Sequence, residues 1–286
     1  MSKIGSVGFV EQSIRANQFK IKKKFGQNFL TDTTILNHIV DAAEITKGDA
    51  VIEIGPGLGA LTELLCEQAG FVLAYEIDQE LLPILQKNLQ SYKNYQIVGK
   101  DILKADIMLD IDTYLKEYEN IYVVANLPYY ITTPILTGLL SKSLPIRRYV
   151  MMMQLEVANR ICGKKATKDY NALSVWVEYK ARATKVMRVP RTVFIPSPNV
   201  DSAVVRFDVY QSLPIQAENE EIFYSLIRNC FAQRRKTLSN NLCSFYDRKL
   251  VYQMLEDLEI NPTIRAEMLG LKEFVSMSNY LTQNQK

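Results

Sequence analysis

The chain has 286 residues, of which 48% are hydrophobic and 23% are charged, with a formal net charge of only +3, ordinary values for a globular protein. It contains no run of about 20 uncharged apolar residues, and its start lacks the hydrophobic core of a secretory signal, which disfavours membrane and secreted classes. One histidine and four cysteines without metal-ligand spacing leave almost no material for a zinc site or a Ser-His-Asp triad. These features predict a cytoplasmic protein with reduced thiols and no bound metal.

Short apolar segments alternate with helical segments from Ala50 onward. Strands that alternate with helices indicate a parallel sheet covered on both faces, and ligands bind such a sheet at the carboxyl ends of its strands. The predicted strands are AVIEIG (50–55), FVLAYEI, YQIVG, IYVVAN and RRYVMMMQ, and the predicted helices are ALTELLCEQA (60–69), QELLPILQKNLQSY and LEVANRICG.

The pattern changes after about Pro190. VFIPSPNVDSAVVRFDVY ends in a strand-like run, QSLPIQAEN (211–219) resembles a linker, and the remainder is helical in pattern. The sequence therefore predicts an α/β domain over residues 1–210, with a basic and helical extension over 1–48, and a small helical domain over 211–286.

Positive charge is unevenly distributed despite the small net charge. Clustered cations suit a polyanion. A solvated surface explains any single cluster better, whereas three basic stretches in one chain favour a nucleic-acid partner equally. The predicted RNA-binding residues form two clusters, Lys22, Lys23 and Lys24 near the start and Arg234, Arg235 and Lys236 on a predicted helix of the second domain.

A glycine-rich turn, EIGPGLGA, follows the first predicted strand. Glycines there permit positive φ angles and let a ligand approach the backbone closely. Gly55, Gly57 and Ala60 also satisfy the loose G-x-G-x-x-G/A pattern of dinucleotide-binding sites. The turn alone does not distinguish a nucleotide site from a tight strand-to-helix connection without a ligand.

Carboxylates follow the next two strands. Glu76 stands 21 positions after Gly55, where a carboxylate accepts hydrogen bonds from both hydroxyls of a ribose. Asp101 can accept a hydrogen bond from an adenine amine. Either one alone is compatible with an ordinary strand-end acid. A dinucleotide enzyme would also require a pyrophosphate site and a proton-transfer residue, and we find neither, so the pattern favours S-adenosylmethionine.

The fourth strand ends in NLPY, Asn126 to Tyr129, which has the residue types needed to activate an amine on a base. Such an amine is a poor nucleophile because its lone pair is delocalised into the ring. The Asn126 side-chain oxygen and the carbonyl of Leu127 or Pro128 can accept its hydrogens and turn the nitrogen toward tetrahedral geometry. The Tyr129 ring supplies a stacking face. Catalysis would then consist of positioning and hydrogen-bond electrostatics, without a general base.

At these residues the chain resembles the ribosomal RNA adenine N6-dimethyltransferases. KKKFGQNFL, EIGPGLGALT, AYEID, NLPYYITTPIL, VFIPSPNVDSAVVRF and FAQRRKTLSNNL occur in the order of that family and span nearly the whole chain. The chain looks like the bacterial branch that dimethylates two adjacent adenines in the loop of the 3′-terminal hairpin of 16S rRNA, an enzyme whose absence is associated with kasugamycin resistance. The resemblance implies a Rossmann-like class I methyltransferase sheet with helices on both faces, and a small all-helical C-terminal domain.

The resemblance also implies roles for individual residues. Phe194 would be the second aromatic wall of the target-base pocket opposite Tyr129, and Tyr130 is a departure, because many members carry Asn there. The implied partner is 16S rRNA within a pre-30S particle, bound by a monomer. The implied cofactor contacts are Asn28 and Leu30 at the methionine and sulfonium end, the Gly55 backbone, Glu76 at the ribose, Asp101 at the adenine, and Asn126.

Three other functions stay open. The related branch that methylates 23S rRNA and confers macrolide resistance shares QNFL and a similar fourth-strand motif, but VFIPSPNVDSAVV and FAQRRKTLSNNL favour the 16S branch. A non-catalytic RNA-binding assembly factor would keep the same fold, and the intact Glu76, Asp101 and NLPY set disfavours it. A nicotinamide dehydrogenase would be stabilised by its dinucleotide instead.

Overall fold

A computed structural model describes residues 3–22 and 25–284 of the chain. Two predicted RNA-binding residues, Lys23 and Lys24, therefore lie outside the described residues. Within those ranges the strands are β1 (Phe29–Leu30), β2 (Ala50–Ile54), β3 (Phe71–Tyr75), β4 (Tyr95–Val98), β5 (Ile121–Asn126), β6 (Ile146–Gln154), β7 (Ala181–Val189), β8 (Phe194–Ile195) and β9 (Ser202–Val209). The helices are α1 (Val7–Ala16), α2 (Thr33–Ala43), α3 (Ala60–Gln68), α4 (Leu81–Asn88), α5 (Ile107–Tyr114), α6 (Thr132–Ser141), α7 (Leu155–Ile161), α8 (Ala172–Lys180), α9 (Glu220–Cys230), α10 (Leu238–Leu242), α11 (Arg248–Asp257) and α12 (Leu271–Asn284).

The chain forms two compact units. The first comprises Met1–Ala158 and Thr184–Val209, and the second comprises Asn159–Ala183 and Tyr210–Lys286. The chain enters the second unit for the last time at residue 210, where the sequence places the domain boundary. The segment 159–183 differs from that prediction, because the aromatic side chains of α8 are buried with the helices that follow.

The core of the second unit shows why α8 belongs there. Trp176 and Tyr179 of α8 are fully buried in one apolar cluster with Phe223 of α9. The ring centroids of Tyr179 and Phe223 are 4.7 Å apart. The Lys180 ammonium, at the end of α8, lies 2.5 Å from a carboxylate oxygen of Glu220. Burial of these large rings stabilises the unit by removing apolar surface from water.

Seven strands form one mixed sheet in the order β4-β3-β2-β5-β6-β9-β7. Pairing is parallel from β4 to β6, and β9 pairs with β6 in the antiparallel sense. The predicted Rossmann-like α/β class is confirmed, whereas the antiparallel edge was not predicted. Parallel pairing of β3, β2 and β5 brings the ends of all three strands to one edge, as the sequence analysis expected.

Residues of β5 and β6 alternate between the two faces of the sheet. Tyr122 and Val124 on β5 belong to the same core cluster as Val150 and Met152 on β6. The register pairs Val124 with Val150 and Asn126 with Met152. The side chain of Asn126 therefore leaves the sheet on the face of this cluster, at the last position of its strand.

A two-stranded ribbon holds the predicted cofactor segment against the first unit. β1 pairs antiparallel with β8, Phe29 opposite Ile195 and Leu30 opposite Phe194. Phe29 belongs to a small apolar cluster with residues of α1 and α4. Backbone pairing and burial together fix the segment GQNFL beside the sheet edge.

Arg148 on β6 is a buried cross-link of the first unit, although its sequence position lies in a diffuse basic stretch. Its guanidinium donates to the carboxylates of Glu44 at 2.7 Å and Asp208 at 2.6 Å and to the Ala43 carbonyl at 2.8 Å. Only 10% of its side chain is exposed. Replacing Arg148 would leave the Ala43 carbonyl without this donor, while Glu44 and Asp208 keep their contacts with Arg206.

We expect Arg148→Met to lower the free energy of unfolding by about 2 kcal/mol, below the full cost of a broken buried pair because Glu44 remains hydrated. Urea denaturation measures the change. Arg147→Met is the matched control, because the neighbouring guanidinium donates to exposed Asn120 alone among the bonds of the described residues. Equal stabilities of the two variants would contradict the cross-linking role.

Candidate active site

The carboxyl ends of β2, β3 and β5 open into one cleft, which we call the rim cleft. It lies within the first unit. Residues of GQNFL, of the glycine turn and of NLPY meet there. Every predicted cofactor-binding residue lines it, as do the four residues of NLPY. This lining includes Asn28, Leu30, Gly55, Glu76, Asp101, Asn126, Leu127, Pro128 and Tyr129.

The glycine turn has the left-handed backbone that the sequence pattern predicts. Gly55 has a φ of 73° and Gly57 a φ of 59°. A Cβ atom at Gly57 would also lie 3.1 Å from the Phe29 ring, so a side chain is disfavoured there on two grounds. The Gly57 N–H points at the end of β3, where it donates to a carboxylate.

That carboxylate is Glu76, which is 5% exposed at the floor of the rim cleft. Its Oε2 accepts from the Gly57 N–H at 3.1 Å, and its Oε1 accepts from the Asp78 N–H at 2.8 Å. Burial raises the pKa of Glu76, and the two backbone donors oppose that shift. Each oxygen keeps a further lone pair, so the group can still accept hydrogen bonds from a ligand.

A second acid, Glu53, lies beneath the glycine turn and was not predicted as a site residue. It is 1% exposed, and burial, with the nearby Glu76 charge as a smaller cause, raises its pKa to about 8. Glu53 is therefore mostly neutral at pH 7.

Asp101 sits one strand further along the edge. Its Oδ1 accepts from the Leu103 N–H at 3.0 Å within a tight turn. No described residue donates to its other carboxylate oxygen, which is free to accept from a ligand amine. Its position beside β4 puts it next to Glu76, as the adenosine-binding prediction requires.

Asn126 is oriented by a contact with the N-terminal segment. Its Nδ2 donates to the Asn28 carbonyl at 3.3 Å, which turns its Oδ1 away from that segment. The following residue is anchored to the next strand, because the Leu127 N–H donates to the Met152 carbonyl at 3.1 Å. The amide and the peptide after it therefore have fixed directions.

The structure distinguishes between the two carbonyls that the sequence left open. The Pro128 carbonyl already accepts from the Thr132 hydroxyl at 3.0 Å and from the Ile131 N–H at 3.2 Å. No described residue donates to the Leu127 carbonyl. Of the three predicted acceptors, the Asn126 Oδ1 and the Leu127 carbonyl therefore accept from no described residue.

Tyr129 is half-buried, and its hydroxyl lies 2.6 Å from the Ser202 Oγ. That bond ties the ring to the first residue of β9. A tethered ring offers a flat face at low entropic cost, which suits base stacking.

Phe194, the predicted second aromatic wall of the base pocket, is buried in the structure, and its role there stays a prediction. It is 4% exposed and packs in the apolar cluster of the sheet face, beside Leu30 and Val204. It is not among the residues that line the rim cleft or the recess beyond Tyr129. Side chains alternate along β8, so Phe194 points into the core while Ile195 packs against the Phe29 cluster.

A recess on the far side of Tyr129 was missed by sequence reasoning. We call it the Tyr129 recess. It shares Asn28 and Tyr129 with the rim cleft and adds Gln154 from the end of β6. Gln154 follows MMM in a strand and carries no local motif, so only its place beside Asn126 in the sheet reveals it. The rest of its lining is the turn Pro196, Ser197, Pro198, Asn199 and Val200 together with Ile21, Gly26 and Gln27.

Lys22 does not offer a free cation, contrary to the RNA-binding prediction. Its ammonium lies 2.6 Å from the Asp78 carboxylate and 2.9 Å from the Glu80 carboxylate. Gln27 also donates to Asp78, at 2.7 Å. Two carboxylates neutralise Lys22, which instead anchors the N-terminal segment beside Glu76.

The second predicted basic cluster lies in the turn between α9 and α10, not on a helix. The Arg234 guanidinium donates to the Lys168 carbonyl and lies 3.9 Å from Glu267. Arg235 and Lys236 are exposed, and neither forms an ion pair with any residue in the described ranges. Their charges are available to a polyanion.

The doubly covered sheet, its glycine turn and the carboxylates at successive strand ends define a class I methyltransferase, whose methyl donor binds across the strand ends. Residues 18–283 match the family model described as ribosomal RNA adenine dimethylase. The chain therefore belongs to the ribosomal RNA adenine dimethylase family, and the predicted resemblance, enzyme class and S-adenosylmethionine cofactor are confirmed.

Relatives with curated names are similar over nearly their whole length. The chain is 48% identical to ribosomal RNA small subunit methyltransferase A of Bacillus mycoides (strain KBAB4), over 92% of both chains. The protein of the same name from Bacillus cereus (strain B4264) is also 48% identical, again over 92% of both.

Solved structures show the same fold. A dimethyladenosine transferase from Plasmodium falciparum superposes with a TM-score of 0.76 and 26% identity, covering 89% of this chain and 97% of its own. The 23S rRNA methyltransferase ErmE superposes with a TM-score of 0.66 and 27% identity, covering 89% and 99%.

Within residues 3–22 and 25–284, no helix has both the length and the apolar content to cross a bilayer. No group of three or more histidine, cysteine, aspartate or glutamate residues is arranged to hold a metal ion there.

We expect Glu76→Ala to weaken S-adenosylmethionine binding without a matching loss of RNA affinity. At about 100 times its dissociation constant the cofactor should stabilise the wild-type protein by about 2.7 kcal/mol, and at that concentration the variant should gain clearly less. Thermal unfolding with and without cofactor measures the difference. Glu117→Ala, at an exposed carboxylate that forms no ion pair or side-chain hydrogen bond with the described residues, should behave as wild type. Equal losses of cofactor and RNA affinity in Glu76→Ala would contradict the assignment.

Proposed function

We propose that the protein dimethylates the N6 amines of two adjacent adenines in the loop of the 3′-terminal hairpin of 16S rRNA. The observation that carries the proposal is the pair of acceptors without a described donor, Asn126 Oδ1 and the Leu127 carbonyl, in the rim cleft, which shares Tyr129 with the Tyr129 recess. The choice of the small subunit is supported by 48% identity to small-subunit methyltransferases against 27% to a 23S rRNA methyltransferase.

The rim cleft has the residues that the cofactor requires. The buried Glu76 carboxylate is placed for ribose hydroxyls, and Asp101 for an adenine amine. Gly55 would contact the cofactor through its backbone. Asn28 and Leu30, from the segment GQNFL, line the cleft opposite the strand ends. S-adenosylmethionine supplies an electrophilic methyl group when it is bound there.

Asn126 and Leu127 would make the target amine nucleophilic. Each accepts one hydrogen of the N6 amine, and two acceptors out of the ring plane favour a tetrahedral nitrogen with a localised lone pair. The acceptors are fixed before substrate binds, by the Asn28 and Met152 contacts, so little reorganisation is needed during the reaction. The methylated nitrogen loses its proton to water, and no side chain need act as a general base.

The Tyr129 recess would receive the base. An adenine reaches it only after leaving its stack, which costs least in a loop. Stacking on the Tyr129 ring offsets part of that cost, at about 1–3 kcal/mol for a base on an aromatic side chain. The Ser202 bond keeps the ring in place before the base arrives. A second aromatic wall at Phe194, which is buried in the structure, stays a prediction.

We further propose that the protein acts as a monomer in the cytoplasm, on a precursor of the 30S subunit. A flipped loop base must be accessible, which favours an assembling particle over a finished one. Exposed Arg235 and Lys236 would contact rRNA phosphates from the second unit.

The proposed function predicts methylation of small subunits only. Undermethylated 30S and 50S particles are incubated in parallel with the protein and isotopically labelled S-adenosylmethionine, and the rRNA is digested for mass spectrometry. We expect two adjacent dimethyladenosines in the 16S hairpin loop and none in 23S rRNA. Strong labelling of 50S particles alone would contradict the proposal.

Asn126→Ala serves as the internal test of the mechanism in that assay. We expect it to keep the wild-type unfolding temperature and to lose about 100-fold or more in turnover, the loss typical of a removed transition-state hydrogen bond. Asn37→Ala is the matched control, since that amide donates only within its own helix, to the Thr33 carbonyl. Wild-type turnover in Asn126→Ala would refute the role of Asn126 as a hydrogen-bond acceptor for the target amine.

Charge reversal tests the RNA contact separately. We expect the double variant Arg235→Glu, Lys236→Glu to bind 30S particles more weakly, with the logarithmic salt dependence of affinity reduced by about two. Its affinity for S-adenosylmethionine should not change. Lys87→Glu, an exposed cation on α4, is the control. An unchanged salt dependence in the double variant would rule out these phosphate contacts.

A further inference from the structure

Gln154 occupies a place in the sheet that no motif marks. It is the last residue of β6, and β6 is the strand next to β5, which ends at Asn126. It lines the Tyr129 recess together with Tyr129 itself. The reaction as proposed so far leaves this side chain without a role.

Strand alternation places Gln154 on the same face of the sheet as Asn126. Val150 and Met152 lie in the core cluster of that face, and Gln154 continues the series of every second residue. The register pairs Asn126 with Met152, so Gln154 extends two residues beyond Asn126 on the adjacent strand. Both amides therefore project from the same side of the same edge.

The partner on the other side of β6 links Gln154 to the tyrosine. Gln154 pairs with Ser202 of β9, and directly opposite residues of antiparallel strands carry their side chains on one face. The Ser202 hydroxyl is the group that holds the Tyr129 hydroxyl, at 2.6 Å. Gln154 thus lies beside the anchored end of the stacking ring.

The Gln154 amide is uncommitted. No group in the described part of the chain forms a hydrogen bond with it, whereas Ser197 in the same recess donates to the Arg191 carbonyl at 2.9 Å. Gln154 is only partly exposed, and a half-buried amide without a partner is available to a ligand.

We propose that Gln154 is a specificity residue that donates a hydrogen bond to a ring nitrogen of the target adenine. An adenine gripped at N6 by Asn126 and Leu127 has acceptor nitrogens, N1 and N7, on either side of the amine. Adjacent strands are about 4.8 Å apart, so a side chain one strand away from Asn126 reaches the ring edge beside the amine, not the amine itself. Guanine carries O6 in place of the amine and cannot satisfy the same set of donors and acceptors.

This inference rests on the proposed function and adds a second contact to the base. The first test compares Gln154→Ala and Gln154→Glu with wild type in the 30S methylation assay. Both variants should lose about tenfold in kcat/KM, the effect of one hydrogen bond of about 1.4 kcal/mol, because neither side chain donates as an amide does. Stabilisation by S-adenosylmethionine should be unchanged. Gln96→Ala, an exposed glutamine on edge strand β4, is the control.

Analogues of the target base distinguish a direct contact between Gln154 and the base from a purely structural role of Gln154. Small subunits are assembled on rRNA whose 3′ segment carries 1-deazaadenosine or 7-deazaadenosine at the first target position. We expect one analogue to lower wild-type kcat/KM about tenfold more than it lowers that of Gln154→Ala, since the variant has already lost the contact. A purely structural role would give equal losses in both proteins.

Two results would overturn the inference. One is wild-type kcat/KM in Gln154→Glu, which keeps the shape and loses the donor. The other is that both analogues impose the same loss on wild type and Gln154→Ala. If either occurs while Asn126→Ala remains inactive, Gln154 does not contact the ring nitrogen, and the proposed function stands. Absence of 30S methylation by the wild-type protein would contradict the proposed function itself.

Discussion

The register of three parallel strands is the constraint on which the site depends. Ile54 of β2 pairs with Tyr75 of β3 and with Ala125 of β5, so the next residue of each strand stands at one level of the sheet. Those residues are Gly55, Glu76 and Asn126. A shift of one residue in either pairing would move a side chain to the opposite face and separate the carboxylate from the amide. The core residues of these strands, buried on both faces, hold that register.

Fixed acceptors explain how the site works without a titrating base. Asn126 is bonded to the Asn28 carbonyl and Leu127 to the Met152 carbonyl, so both acceptors are set by backbone partners on other segments. In the proposed mechanism, the acid Glu76 serves cofactor binding and transfers no proton. Glu76 is held by two backbone N–H groups, and burial keeps Glu53 mostly neutral at pH 7. The electrostatic task is to orient an amine, which neutral carbonyl oxygens perform without the desolvation cost of a buried charge.

The motifs predicted this part of the rim well, because four of its residues lie at the end of a strand that the hydrophobic pattern identifies, or up to three residues beyond it. Gly55, Glu76, Asp101 and Asn126 needed only the strand ends and the rule that parallel strands end together. The predictions failed where contacts with residues distant in the sequence determine the environment of a side chain. Lys22 looks like a free cation until Asp78 and Glu80 fold against it, and α8 joins the second unit through contacts with helices some 45 residues later in the sequence. Burial of Phe194 and the place of Gln154 depend on which strands are neighbours, and local spacing does not encode that.

The central claim is that the rim delivers a methyl group to the space between Asn126 and Tyr129. A crystal structure of the protein with S-adenosylmethionine bound tests it directly. The account predicts ribose hydroxyls at the Glu76 carboxylate and a methyl carbon directed past Asn126 into the Tyr129 recess. The account would be contradicted by a cofactor whose methyl carbon points away from the Tyr129 recess, toward the glycine turn or bulk solvent.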